Sequence, residues 1–281
     1  MKKFLLLALL LIPMLAGAQA SVNWHDEARD TARINEVLKA ASGLDRRVVV
    51  DSIARMFLGT PYVASTLEIE PERVTVNTDG MDCTTFVDNV LALARTVMEG
   101  RSDWRDFIYN LEWMRYRQGR VNGWPSRLHY ISDWIVDNVG RGNIKEITSS
   151  LDASEYRVKS LDFMTEHADL YPALADRDNL EKMRDVERGY RNHRYPQLAV
   201  VKINKSNLAQ MRPGDVVAIT TKTPGLDVVH LGILTMVDGE LHLLHASSKA
   251  GKVTIDPRPL KDHLRQNRSY LGIRVLRLAA D

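Results

Sequence analysis

Cysteine is almost absent from this chain, with one residue, Cys83, in 281. That excludes a disulfide framework, because an internal bridge needs two. Long apolar runs are also scarce. The one prominent run, residues 4–15, is short for a membrane span, and no later stretch approaches the necessary length. Excess charge of either sign is missing too. The chain carries 38 Lys and Arg against 36 Asp and Glu, and two of the basic residues, Lys2 and Lys3, stand at the extreme N-terminus. Without them the balance is neutral, which leaves no basic excess to bind nucleic acid or an anionic surface. Internal repeats and low-complexity linkers are lacking as well.

The first twenty residues, MKKFLLLALLLIPMLAGAQA, combine a basic start, an apolar stretch and Ala18-Gln19-Ala20. That is the pattern of a cleaved secretory signal peptide. The expected mature chain begins at Ser21 and is periplasmic or secreted, with no membrane span after cleavage. No Cys follows the apolar stretch, which argues against a lipid anchor. Residues 21–281 suffice for a single catalytic domain with ample core.

In an oxidising compartment a lone thiol is either a buried small hydrophobe or a group kept for its chemistry. Downstream of Cys83, residues Val87, Val90, Leu91, Ala94, Val97 and Met98 recur at helical spacing, and the pattern stops near Gly100. Asp82 is the expected N-cap, with Thr84 and Thr85 in the first turn. Cys83 then lies at a helix N-terminus, where unpaired N–H groups favour an anion, so a thiolate at neutral pH is expected.

A thiol nucleophile needs a base, and the base needs an orienting partner. Of eight histidines, His230 and His245 fall in a region rich in β signals: residues 214–220, 226–236, 240–247, 251–256 and 270–278. Asp238-Gly239 makes a hairpin of the second and third runs, which predicts that His230 and His245 are cross-strand neighbours. His245 shares the parity of Leu241 and Leu243 and points to the core. His242, of opposite parity, is expected to face solvent. Taken singly, each His is commonly a hydrogen-bonded core residue. Together with Cys83 at a helix start they form a Cys–His–His set.

The strings DGMDCTTFV (79–87), DVVHLGIL (227–234) and LHLLHASS (241–248), with LGTPYVAST (58–66) upstream and Gly214-Asp215-Val216-Val217 on a strand, resemble the NlpC-type, papain-like cell-wall cysteine peptidases. The resemblance implies an α+β fold, with a nucleophile helix packed on an antiparallel sheet. It implies Cys83 as nucleophile, His230 as base, His245 as orienting residue and Tyr62 as the tyrosine bordering the site, with Asp82 beside them. No cofactor and no metal is implied. Between Cys83 and His230 lies a long insertion, roughly residues 101–200, expected to be mostly helical.

The insertion and the strings LGTPYVASTLE and WPSRLHYISDW resemble the N-acetylmuramoyl-L-alanine amidase branch of that superfamily. This implies cleavage of the lactyl–L-Ala amide of a muropeptide or peptidoglycan fragment, with preference for 1,6-anhydro-muropeptides. Three alternatives stay open: a γ-D-glutamyl–diamino acid endopeptidase of the same superfamily, a zinc-dependent amidase using Cys83, His230 and His245 as ligands, and a non-catalytic peptidoglycan-binding module. Within the insertion, Asn122, Gly123 and Pro125 interrupt the helical pattern and leave Trp124, Arg127 and Tyr130 on a loop or early turn. Aromatic faces stack on sugars and Arg grips carboxylate or acetamido oxygens, so these three are candidate substrate contacts. The competing possibility is that Trp124 staples the insertion to the core.

Overall fold

The structure is a computed structural model that describes residues 22–279. The expected leader, residues 1–20, and the cleavage point at Ser21 lie outside the described residues. The chain begins with β1 (Asn23–Trp24), α1 (Glu27–Ala41), α2 (Val49–Met56) and β2 (Thr75–Val76), followed by α3 (Cys83–Met98), α4 (Trp104–Arg115) and α5 (Ile131–Gly140). The middle of the chain holds β3 (Ile144–Glu146), β4 (Glu155–Lys159), α6 (Phe163–Glu166), α7 (Arg177–Gly189), β5 (His193–Ala199) and α8 (Lys205–Leu208). It closes with β6 (Val216–Thr221), β7 (Val228–Val237), β8 (Glu240–Ser247), β9 (Lys252–Pro259), α9 (Leu260–Arg265) and β10 (Tyr270–Leu278).

The expected α3 forms where its signals place it. Asp82 Oδ1 accepts from the Thr84 and Thr85 N–H groups, and Thr85 Oγ1 accepts from the Asp82 N–H, a reciprocal capping box. The five β runs of the C-terminal third all form, as β6 to β10. They build an antiparallel sheet in the order β4-β5-β10-β6-β7-β8-β9, with β3 also pairing β10. Asp238 and Gly239 both take positive φ, 48° and 82°, the conformation an Asp-Gly hairpin turn requires, and Val237 pairs Glu240 across it.

The sheet is covered on both faces, which decides where the histidines go. Leu231, Ile233, Leu244 and Ala246 belong to a core shared with α1 to α5. Leu234, Leu241 and Leu243 belong to a second core with Leu260 and Leu264 of α9. Alternation along β8 therefore selects between two cores, not between core and water. His242 is accordingly buried, with Nδ1 2.8 Å from the Asp256 carbonyl oxygen, and does not face solvent as expected.

The insertion carries α4 to α7, but it also contributes β3, β4 and β5, which extend the sheet beyond β10. Strand signals are weak there. β5 carries Pro196 in its interior, a residue that normally argues against a paired strand. Among the described residues no helix is long and apolar enough to cross a membrane.

Candidate active site

Cys83 is half-buried at the first turn of α3, whose start packs on β7 and β8. Its thiol lies within reach of the Leu231 backbone N–H on β7, the Thr84 hydroxyl and its own N–H. Those three donors favour the anion. Burial, the largest influence, and the nearby Asp82 carboxylate oppose it and push the thiol pKa up. The resting form is thus the thiol, not the thiolate expected from the helix N-terminus. Burial explains most of the difference, and the N-cap adds to it: Asp82 occupies the Thr84 and Thr85 N–H groups and sets a negative charge beside the sulfur.

His230 and His245 come together across β7 and β8 as predicted. His230 Nε2 is 2.6 Å from His245 Nδ1, and the rings meet edge-to-face at 84° with centroids 4.8 Å apart. Two local features aim them. The register between β6 and β7 shifts beside His230, so Ile219 pairs His230 while the next residue, Thr220, pairs Val228. Gly232 allows the close strand approach, because an added Cβ would meet the Leu243 side chain at 2.6 Å. Burial lowers the His230 pKa to about 3 and the His245 pKa to about 4, so both rings are neutral near pH 7. Cys83 touches the β7 backbone one residue along from His230, but no hydrogen bond joins the thiol to an imidazole.

The row of side chains continues past His245. His263 of α9 stands edge-on to His245 with centroids 5.6 Å apart, and its Nδ1 is 2.8 Å from Asp256 Oδ2. Arg258 holds both Asp256 oxygens at 2.8 Å. Sequence reasoning missed Asp256 and His263. The signal available was indirect: a buried ionisable His245 needs polar company.

On the α3 side, Asp82, Thr84 and Leu231 line a cavity of about 140 Å³ together with Glu68, Arg127 and His129. Tyr62 stands beside this region. Its phenol pKa is raised by burial first and then by the charges of Cys83 and Asp82. Arg127 is 4% exposed, pairs Glu68 at 2.9 Å and approaches Glu72 at 3.5 Å, and its Nε has no hydrogen-bond partner. Trp124 and Tyr130 are buried in a cluster with Leu161, Met164, Leu174 and Met183. Trp124 Nε1 donates to Glu68 at 3.2 Å, and the Tyr130 hydroxyl donates to Glu187 at 2.8 Å. The structure thus brings Asp82 and Arg127 to the lining of one cavity, with Cys83 next to Asp82 at the start of α3 and Tyr62 close to both. It sets Trp124 and Tyr130 in the packing behind that cavity, the stapling arrangement rather than an open stacking face.

Residues 52–273 match the model of a family described as AmiA-like, N-acetylmuramoyl-L-alanine amidase-like. A crystal structure of an N-acetylmuramoyl-L-alanine amidase from Bacteroides uniformis is 38% identical, with a TM-score of 0.78 over 83% of this chain and 99% of that one. A Bacteroides fragilis protein, for which the name xylanase has been suggested, is 40% identical, with a TM-score of 0.76 over 80% of this chain and 99% of its own. A Legionella pneumophila protein shares the fold at 21% identity, with a TM-score of 0.70 over 90% of this chain and 95% of its own. No curated protein sequence matches. By the extent of the family match and the likeness to the Bacteroides uniformis structure, this chain belongs to the AmiA-like, N-acetylmuramoyl-L-alanine amidase-like family.

Proposed function

We propose that this chain is a cysteine-dependent N-acetylmuramoyl-L-alanine amidase with a papain-like, NlpC-type core, acting in the periplasm or outside the cell on small 1,6-anhydro-muropeptides. One observation carries the chemistry: the sole thiol starts a helix against β7, one residue from a hydrogen-bonded histidine pair. The family match and the Bacteroides uniformis likeness support the substrate class.

Both imidazoles are neutral, so each has one donor and one acceptor nitrogen. With the His230 Nε2–H donating to His245 Nδ1, the His230 Nδ1 lone pair is the base. It takes the thiol proton as sulfur attacks the lactyl carbonyl, so no resting thiolate is required. The Cys83 N–H, at the start of α3, holds the oxyanion, with Tyr62 alongside. The imidazolium then protonates the leaving L-Ala nitrogen, and water hydrolyses the thioester. The cavity beside Thr84 takes the sugar side, with Arg127 as its polar grip and Trp124 and Tyr130 holding that wall in place.

A glycosidase reading, as the suggested xylanase name would have it, needs two carboxylates free to act as acid and base. Here the carboxylates near the thiol are engaged: Glu68 by Arg127 and Trp124, Asp88 by Arg115, and Asp82 by the helix cap. The test is turnover of a defined anhydro-muropeptide and of xylan, with a thiol alkylator and with a chelator. Loss of amide cleavage to the alkylator alone supports the proposal. Loss to the chelator with indifference to the alkylator points to zinc held by Cys83, His230 and His245, and cleavage of xylan alone contradicts the proposal.

A further inference from the structure

Three imidazoles and a carboxylate stand in one row on the sheet side of the cleft, and only the first two are used by the mechanism above. His230 contacts His245, His245 stands edge-on to His263, and His263 is hydrogen-bonded to Asp256. The far end of the row is fixed. Arg258 binds Asp256 through Nε and one terminal nitrogen, and its backbone N–H adds a third contact at 3.0 Å. His242 bonds the Asp256 carbonyl, which ties the same residue to β8.

The hydrogen positions follow from what each atom can do. A carboxylate only accepts, so the proton between His263 and Asp256 sits on His263 Nδ1. In the neutral ring Nε2 is then an acceptor, and it is buried without any hydrogen-bond partner. A buried acceptor with no donor costs on the order of 1–3 kcal/mol, a cost that calls for a role. The groove that His263 lines, about 330 Å³, is also lined by His230 and His245. With His245 Nδ1 accepting from His230, the tautomer the proposed mechanism uses, the His245 proton is on Nε2, the one ring donor in this groove that the hydrogen bonds above leave uncommitted.

We propose that His263 and Asp256 are positioning residues for the reaction: His263 Nε2 takes the His245 Nε2–H through one bridging water, and so links His230 to a fixed carboxylate at the end of the row. This rests on the cysteine-amidase reading. No proton leaves the row. When His230 becomes imidazolium, its Nε2–H bond to His245 shortens, and each ring passes the polarisation outward until the Asp256 charge answers it. The arrangement also fixes one tautomer for both catalytic rings.

The groups facing His245 are His230 from β7, Asp256 and Arg258 from β9, His263 from α9, Tyr270 from β10 and Lys249 from the β8–β9 turn. Among them Asp256 is the one anion. Removing it makes imidazolium harder to form, so the acid limb of kcat/KM moves to lower pH while kcat falls.

The experiment uses the full chain with Asp256→Asn and, separately, His263→Phe, which keeps a ring of similar volume. Steady-state kinetics on an anhydro-muropeptide are recorded against pH beside thermal melting, with wild type and Cys83→Ala as references. The expected result is a kcat lower by roughly 10- to 100-fold in both variants, KM within about twofold, and an acid limb displaced downward in Asp256→Asn. A folded variant with wild-type kcat and an unmoved acid limb overturns the proposal. So does unfolding of both variants, which would make the row purely architectural. If wild type itself fails to cut the muropeptide, or Cys83→Ala still cuts it, the cysteine-amidase reading fails instead.

Discussion

The two walls that flank Cys83 are built from opposite materials. On the sheet side stand neutral rings, His230 and His245, whose charged forms burial disfavours. On the insertion side stand guanidinium–carboxylate pairs: Arg127 with Glu68 and Glu72, and behind them Arg115 with Asp88 at 2.9 Å, both buried; burial pushes the Glu72 and Asp88 pKa values up and the neighbouring guanidiniums oppose it. A neutral imidazole keeps a lone pair that can take a proton, and a guanidinium in a planar ion pair holds polar groups in a fixed geometry. The difference separates a wall for chemistry from a wall for grip and shape. Substitutions should therefore act differently on the two sides.

The largest effect is expected at the junction itself. Cys83→Ala should lower turnover by roughly 10⁴-fold or more with little change in melting temperature, because in the proposed mechanism the sulfur is the bond-forming atom and its removal leaves a small change in packing. On the sheet wall, His245→Ala should lose roughly 10²-fold in kcat and keep measurable turnover, since it orients His230 without taking the thiol proton. Equal and complete loss in both variants would make His245 a base or ligand and erase the distinction between the two rings.

Across the cleft the signature should invert. Arg115→Met strands Asp88 as a buried unpaired carboxylate and should cost about 3–5 kcal/mol of stability by chemical denaturation. Trp124→Ala empties a buried site and should cost about 3–5 kcal/mol. Arg127→Ala should lower kcat/KM on sugar-bearing muropeptides by roughly 10- to 200-fold while the alkylation rate of Cys83 stays unchanged. A variant of this wall that altered thiol reactivity instead would show that the walls are not separate.

The smallest expected effect is on acid stability. His230 and His245 titrate lower when folded than the ordinary 6.5, so between pH 6.5 and about 4 the unfolded chain binds more protons. Stability from these two rings is present above that window and falls as pH drops through it. Melting temperature against pH should decline there, and His245→Phe should flatten the decline. A steeper decline in that variant would contradict the neutral-ring account.

The α3 start was legible because Asp82, Thr84 and Thr85 are local capping residues next to Cys83, and the His pair because Asp238-Gly239 fixes the hairpin. The charge of the thiol was not legible: the helix N-terminus argues one way, and only the packing shows that burial and the cap argue the other. His263 and Asp256 carry no spacing signal, because α9 folds back on β9 to bring them to the row. In the insertion, Gly123 and Pro125 correctly broke the helix, but backbone signals do not say what covers a side chain. Trp124 and Tyr130 therefore looked open and are buried.

The central claim is that Cys83 cuts the amide between the lactyl group and L-Ala. The most direct measurement is mass spectrometry of a defined anhydro-muropeptide after incubation with wild type and with Cys83→Ala. The account predicts the free anhydro-sugar acid and a peptide with an N-terminal L-Ala for wild type, and intact substrate for the variant. Cleavage after D-Glu, or the same two products from Cys83→Ala, would contradict it.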